Sequence, residues 1–444
     1  MSRLLRASAL AGATIPLVHP AFAATSRPIS PGDTAWMLVC TALVLLMTIP
    51  GLALFYAGMV RKKNVLATMM QSFAICALIS VVWMLAGYSL AFGNGNGWIG
   101  DASRLFLNGL GADWNKAFVL GAGTAVAQPT AIPESVFVMF QMAFAVITPA
   151  VVTGAFADRM KFSALMIFMI LWSLLVYAPI AHWVWAPTGW LARLGVADFA
   201  GGTVVEINAG VSGLVCALVL GRRLGFGTEN MAPWNLAYAV TGGALLWVGW
   251  LGFNSGGAMG ANARAGMAVL ATQLAAAGAT LTWSGAEWLL RGKPSVLGAI
   301  SGAVAGLVAI TPAAGFVLPG PALAIGLIAG LVCFYAATEI KPRLRYDDSL
   351  DAFGVHGVGG MVGMLLTGVF AFGPLSAGAA DPAGATGGLH LLGVQAVAVA
   401  ATIVWSAVGT YVALKIAGVL VGLRVSREEE REGLDIALHG EQVL

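Results

Sequence analysis

DFAGGTVVEINAG, residues 198–210, sets a glutamate among small and β-branched apolar residues, in a chain that rarely spends charge inside its hydrophobic segments. Asp198 stands at −8 from Glu206, and Gly210 and Gly213 follow at +4 and +7. The same spacing returns in DDSLDAFGVHGVGGMVG (347–363), where Asp348, His356, Gly360 and Gly363 fall at −8, 0, +4 and +7. Helical periodicity puts each ionisable residue on the face of its own glycines, aimed at a helix-packed interior rather than at lipid.

A second, weaker match lies upstream of each copy. Gly51, Phe55 and Gly58 are spaced 0, +4, +7, as are Gly249, Phe253 and Gly256. Five apolar spans thus reappear as five. Because an odd number separates the copies, the second half must run through the membrane upside down, the inverted repeat of many secondary transporters. Close helix packing accounts for most of the 58 glycines, but not for a matched Glu206 and His356. An axis in the membrane plane would bring those two side chains together near the midplane. An ionised group there is expensive unless paired or hydrated, so such residues mark conduction paths or proton relays. The alternative is a buried pair that only fastens two helices.

Composition agrees with a membrane setting. The 444 residues are 59% hydrophobic and 10% charged, against roughly 25% charged for a soluble domain. Eleven spans are expected, at about 33–60, 65–92, 132–156, 162–184, 200–221, 233–256, 264–290, 295–312, 319–340, 349–372 and 387–422. The fold expected is an all-α polytopic membrane protein of eleven transmembrane helices, five plus five in inverted repeat with a long eleventh. Net charge is +3 with no basic stripe, which argues against nucleic acid as a partner. Cys40, Cys76, Cys216 and Cys333 lie singly in apolar runs, without metal-ligand spacing, and read as core filler. No cofactor is expected.

Residues 1–23 read as a cleavable signal peptide, with Arg3 and Arg6 ahead of an apolar stretch and Ala21-Phe22-Ala23 as the cleavage site. Alternate connections from residue 61 to the tail carry fifteen Lys and Arg, whereas the opposite side has Arg27, Arg104, Lys116, Arg193 and Arg264. The positive-inside rule then puts the amino terminus outside and the carboxyl terminus in the cytoplasm. The division expected is signal peptide 1–23, transmembrane domain 24–422 and cytoplasmic regulatory tail 423–444.

Aromatic residues cluster beside the Glu206–His356 axis. Phe140 and Phe144 share a face of the third span, Trp250 and Phe253 lie three apart on the sixth, and Trp183 and Trp185 end the fourth. Aromatic faces attract cations, more strongly where water is excluded, so an outer aromatic cup could hold a small cation. Taken singly, each of these rings could equally be an interfacial anchor or core.

The stretches PIAHWVW (179–185), DFAGGTVVEINAG (198–210), WLGFNSGGA (250–258), DDSLDAFGVHGVGGMVG (347–363) and REGLDIALHGE (431–441) resemble the Amt/Mep/Rh ammonium transporters, Amt branch, in order and spacing over essentially the whole chain after residue 24. The resemblance implies a homotrimer in the cytoplasmic membrane with one pore per subunit. Its cargo would be ammonium or methylammonium, crossing as NH4+ or as NH3 with a relayed proton. It also implies a PII-type regulatory partner for the tail.

Carried over motif by motif, Trp185 and Phe140 would form the outer recruitment site, held together by Asp198. Phe144 and Phe253 would be the gate, and Trp250 a pore wall. His356 would be one of the family's twin histidines. Two positions depart from the pattern. Glu206 replaces the other histidine, and Gly257 stands where a serine commonly offers a hydroxyl, leaving Ser255 or a carbonyl for that task. The rival reading, an ammonium receptor on the same fold, would usually carry a signalling domain, and only about 20 residues follow the last span. An enzyme is not expected, because no nucleophile, zinc set or second catalytic carboxylate accompanies Glu206.

Overall fold

The computed structural model describes residues 27–377 and 383–443, so the expected signal peptide lies outside the described residues. Among them, ten helices are long and apolar enough to cross a membrane: Pro31–Met59, Lys62–Phe92, Glu134–Ala155, Phe162–Leu194, Gly202–Leu220, Leu236–Ala258, Ala263–Arg291, Pro319–Leu344, Phe353–Phe370 and Leu389–Val421. The remaining expected span is the shorter apolar helix Val296–Ile310, which continues as tight turns to Val317. These eleven are the expected spans, with ends shifted by a few residues. The fourth runs further than expected: it breaks after Trp185, turns at Gly189 and resumes as Trp190–Leu194.

Side-chain caps explain several boundaries. Ser30, Asn235, Asn262 and Ser295 each accept a backbone N–H from the first turn of the first, sixth, seventh and eighth spans, satisfying donors that a helix start leaves without partners.

The repeated glycines are where the two halves touch. The first and sixth spans run antiparallel at close range: a Cβ at Gly242 would lie 2.2 Å from the Phe55 nitrogen, and one at Gly249 would lie 2.2 Å from the Met47 side chain. The fifth and tenth cross in the same sense. A Cβ at Gly210 would come within 2.1 Å of the Gly357 nitrogen, and one at Gly360 within 2.9 Å of Cβ of Glu206. Each half therefore contributes the same helix pair, inverted, and small residues allow the backbones to approach.

Alternate connections meet at one end of the bundle, hereafter the basic end. Asp158 of the third connection pairs with Arg61 at 3.1 Å and Arg223 at 3.8 Å, and Arg223 also pairs with Asp347 at 2.7 Å. Arg159, fully buried, donates to the carbonyls of Ala155, Ala157 and Asp347. The tail closes over this network as two short helices, Arg427–Glu432 and Leu434–His439. Glu430 accepts from Arg424 and from the Leu224 N–H, and Asp435 accepts the Ala67 N–H at 2.7 Å, at the start of the second span. A carboxylate there complements the positive end of that helix. At the opposite end, the long connection folds a two-stranded hairpin, Ala117–Leu120 with Gln128–Pro133, beside an Arg104–Glu134 pair at 2.7 Å.

Candidate functional site

Asp198 and Asp348 occupy equivalent positions just before the fifth and tenth spans and do the same work. Asp198 accepts the N–H groups of Gly201, Gly202 and Thr203 at 2.6–2.9 Å, and the Thr203 hydroxyl. Asp348 accepts those of Ala352 and Phe353 at 3.1 and 2.7 Å. Each carboxylate thereby caps a helix whose first stretch is wide, π-type backbone, Gly202–Ile207 in one repeat and Phe353–Gly357 in the other. Such wide turns concentrate at functional positions. Here they carry Glu206 and His356.

Those two side chains meet. His356 Nδ1 lies 2.7 Å from Glu206 Oε2, and both residues are buried. The other carboxylate oxygen, Oε1, is buried with no hydrogen-bond partner among the described residues.

On the side away from the basic end, a vestibule of about 490 Å³ is lined by Phe140, Phe144, Trp185, Asp198, Phe199 and Gly257, among others. Phe140 and Phe144 are 4.9 Å apart between ring centroids, and Phe144 meets Trp185 edge-on at 5.7 Å. The Trp185 indole N–H donates to the Asp198 carbonyl at 3.2 Å, so the acid that caps the fifth span also fixes the tryptophan. The vestibule stops at Phe144. Behind it Phe253 packs at 4.3 Å between ring centroids, tilted by 38°, and both rings are at most 2% exposed. Trp250 follows at 5.3 Å from Phe253, its indole N–H held by Thr311 Oγ1 at 2.8 Å. Beyond His356, a smaller cavity of about 50 Å³ is lined by Tyr56, Trp283, Ser301, Asp351 and His356.

Of the site residues expected from the sequence, Phe140, Phe144, Trp185 and Asp198 line the vestibule, Phe253 and Trp250 pack behind Phe144, and Glu206 pairs with His356; two others lie elsewhere. Ser255 is fully buried and donates to the Leu251 carbonyl at 2.6 Å, away from the vestibule. Trp183 donates to the Trp98 carbonyl in a cluster with Trp190 and Trp405, apart from the cup. Sequence reasoning passed over Thr311, which orients Trp250, and Phe199, whose ring lies against Gly257. Neither has a periodic signal that marks it.

The family model described as Ammonium Transporter Family matches residues 35–444. The chain belongs to the ammonium transporter family. An ammonium transporter of Bacillus subtilis is 49% identical over 411 residues, covering 93% of this chain and 98% of that one. One of Aquifex aeolicus is 47% identical, covering 94% and 95%. Among solved structures, Saccharomyces cerevisiae Mep2 superposes with a TM-score of 0.81 at 35% identity, covering 90% of this chain and 89% of that one. A structure titled a sensor Amt protein gives 0.81 at 30% identity, covering 92% and 98%. Members of the ammonium transporter family are membrane transporters rather than enzymes, and membership makes ammonium the cargo.

Proposed function

We propose that the line from vestibule to basic end is the route of ammonium through this chain. The observation that carries the reading is the combination of an open aromatic vestibule, a buried pair of closely packed rings behind it, and a buried Glu206–His356 pair with one carboxylate oxygen unclaimed among the described residues. In this reading Trp185 and Phe140 draw the cation through their π faces, with Asp198 holding the site in shape. Phe144 and Phe253 exclude a water column, as hydrophobic constrictions do in other pores. Trp250 walls the passage behind them.

At the pair, the ion meets a buried carboxylate and an imidazole. Oε1 of Glu206 is free to accept a hydrogen bond from ammonium, and Oε2 and His356 Nδ1 are close enough to share a proton. A proton leaving the substrate can then be held by the pair while ammonia moves on, and be returned on the far side.

We further take the basic end as cytoplasmic, in the cytoplasmic membrane of the cell, and the chain as a homotrimer with one such route per subunit. Residues 423–444 would serve as a regulatory tail that receives a PII-type protein. The way the tail grips the start of the second span through Asp435 supports a regulatory role, since a change there reaches a pore helix directly.

The deciding experiment is a solid-supported-membrane current on purified protein in liposomes. Ammonium pulses should give saturable currents and potassium pulses should not. Equal currents for both ions, or none for ammonium, would end the proposal.

A further inference from the structure

Arg264 places a fixed positive charge in the vestibule through which a cation is proposed to enter. It is the second residue of the seventh span, so it sits at the positive end of a long helix, where the macrodipole disfavours a cation. Among the described residues, its partners are the Gly315 carbonyl, 2.9 Å from Nε, and the faces of two rings. The guanidinium carbon lies 4.8 Å from the Phe199 centroid and 4.6 Å from that of Phe316. No carboxylate pairs with it among those residues. Both rings and the arginine line the same vestibule as Phe140 and Trp185.

The arrangement is built by two glycines. A Cβ at Gly315 would lie 2.2 Å from Cε2 of Phe199, and one at Gly257 would lie 2.6 Å from the Phe199 carbonyl oxygen and 3.1 Å from its ring. Only bare backbone on both sides lets that ring stand where it does. Gly257 is the position at which a serine hydroxyl is commonly expected, so the space of the hydroxyl is given to the ring that carries Arg264. The next residue back, Gly256, lies against Phe140 in the same way, its Cβ position 2.4 Å from Cζ. The arginine-bearing ring and the recruiting ring thus flank successive residues of one turn.

From this we propose that Arg264 is a specificity-determining residue for cation entry: it occupies the π faces of Phe199 and Phe316 that an ammonium ion would otherwise use, and its charge weakens outer binding. Recruitment is thereby confined to the Phe140–Trp185 cup, and half-saturation is set at a higher ammonium concentration than the aromatic lining alone would give. The inference rests on the transport reading above.

The test compares wild type with Arg264→Gln, Arg264→Met and Arg264→Lys in liposome currents. Wild-type ammonium currents that saturate establish the transport reading independently. Removing the charge should then lower the half-saturating ammonium concentration by about three- to ten-fold, the scale of one unit charge acting across about a Debye length, with the maximal current held within about two-fold. Arg264→Lys should stay near wild type. Raising ionic strength with the salt of a bulky impermeant cation should lower the half-saturating concentration of wild type, by screening the repulsion, and should not lower that of Arg264→Gln, where Arg27, Asp33 and Asp198 are the charges left on the vestibule. A half-saturating concentration unchanged or raised in both neutral variants would overturn the proposal, as would equal salt dependence in wild type and Arg264→Gln. If Arg264→Gln and Arg264→Met fail to fold, the wild-type salt dependence decides alone: a half-saturating concentration that rises with screening has the wrong sign for a repelling charge.

Discussion

Glu206 Oε2 sits 2.7 Å from His356 Nδ1 while Glu206 Oε1, equally buried, has no hydrogen-bond partner among the described residues. A pair that served only to fasten the fifth and tenth spans would gain by satisfying both oxygens, because an unmet buried acceptor costs about 1–3 kcal/mol. The glycines already hold these helices together. In the transport reading proposed above, that oxygen is left for a hydrogen-bonding cargo.

The packed rings of Phe144 and Phe253 carry the first prediction. Substituting both Phe144 and Phe253 with alanine removes two side chains that are 2% and 1% exposed and opens the vestibule toward the pair. Selective flux should be lost while the protein remains folded, read as ammonium and potassium currents at equal protein density. Intact ammonium current with potassium still excluded would mean that the gate lies elsewhere.

Close approach at Gly210 carries the second. A methyl group there would have to share space with the backbone of Gly357, and backbone cannot swing aside as a side chain can. Gly210→Ala should force the fifth and tenth spans apart and cost about 1–3 kcal/mol, as overpacking does elsewhere. Lower thermal stability in detergent, together with reduced flux from a displaced Glu206, is the expected result. Wild-type melting and flux would contradict the packing.

Much of this was legible in the chain itself. Long apolar runs gave the spans because a bilayer tolerates little else, and the −8, 0, +4, +7 spacing gave the Glu206–His356 pair because inverted repeats conserve register as well as residue type. Contacts without a period were not legible. Nothing in the sequence links Asp435 to Ala67, or Leu434 to Asn64, across some 370 positions. Ser255 looked available at the vestibule, yet a serine inside a helix can bond back to the carbonyl four residues earlier, and that is what it does. Arg264 counted only as one of five charges on its side, because a stack on two rings from distant segments leaves no local trace.

The ion pair of Arg223 with Asp347 gives a pH prediction. Burial pushes the Asp347 carboxyl up, but the hydrogen bonds and charge of Arg223 outweigh it and hold the group below the ordinary carboxylate range. A carboxylate lowered on folding stabilises the protein above its unfolded pKa, about 3.9, and that contribution is lost as pH falls through the lowered value. Asp347→Asn should therefore cost about 3 kcal/mol at neutral pH, the scale of breaking a buried pair. The melting curves of wild type and variant should begin to converge as pH falls below about 4 and meet only once it has passed the lowered value. A gap that persists unchanged down to pH 3 would assign the loss to something other than the charge.

The tail can be separated from the pore. Deleting residues after Arg427 removes both Glu430 and Asp435, whereas Asp435→Ala removes only the acceptor at the start of the second span. Both should reduce flux without preventing insertion, the point variant less than the deletion. Unchanged flux in both, at equal surface expression, would leave the tail a solvated appendage.

Glu206 itself decides whether the pair relays a proton. A neutral carboxyl can both donate and accept, as imidazole can, so replacing the family's usual histidine preserves what a relay requires. Unlike a histidine, it can also carry a negative charge in the passage, which favours cations there and ties flux to pH. Glu206→Gln keeps the shape and a hydrogen bond to His356 but cannot ionise or pass a proton on, so it should remove most of the ammonium current. Glu206→His restores an imidazole pair and should return flux with a shifted pH profile. The measurements are ammonium and potassium currents from pH 5 to 8 on all three proteins. Full flux with an unaltered pH profile in Glu206→Gln would show that the proton is not used, and the pair would then be a polar contact between two helices whose free oxygen serves only to hydrogen-bond the passing cargo.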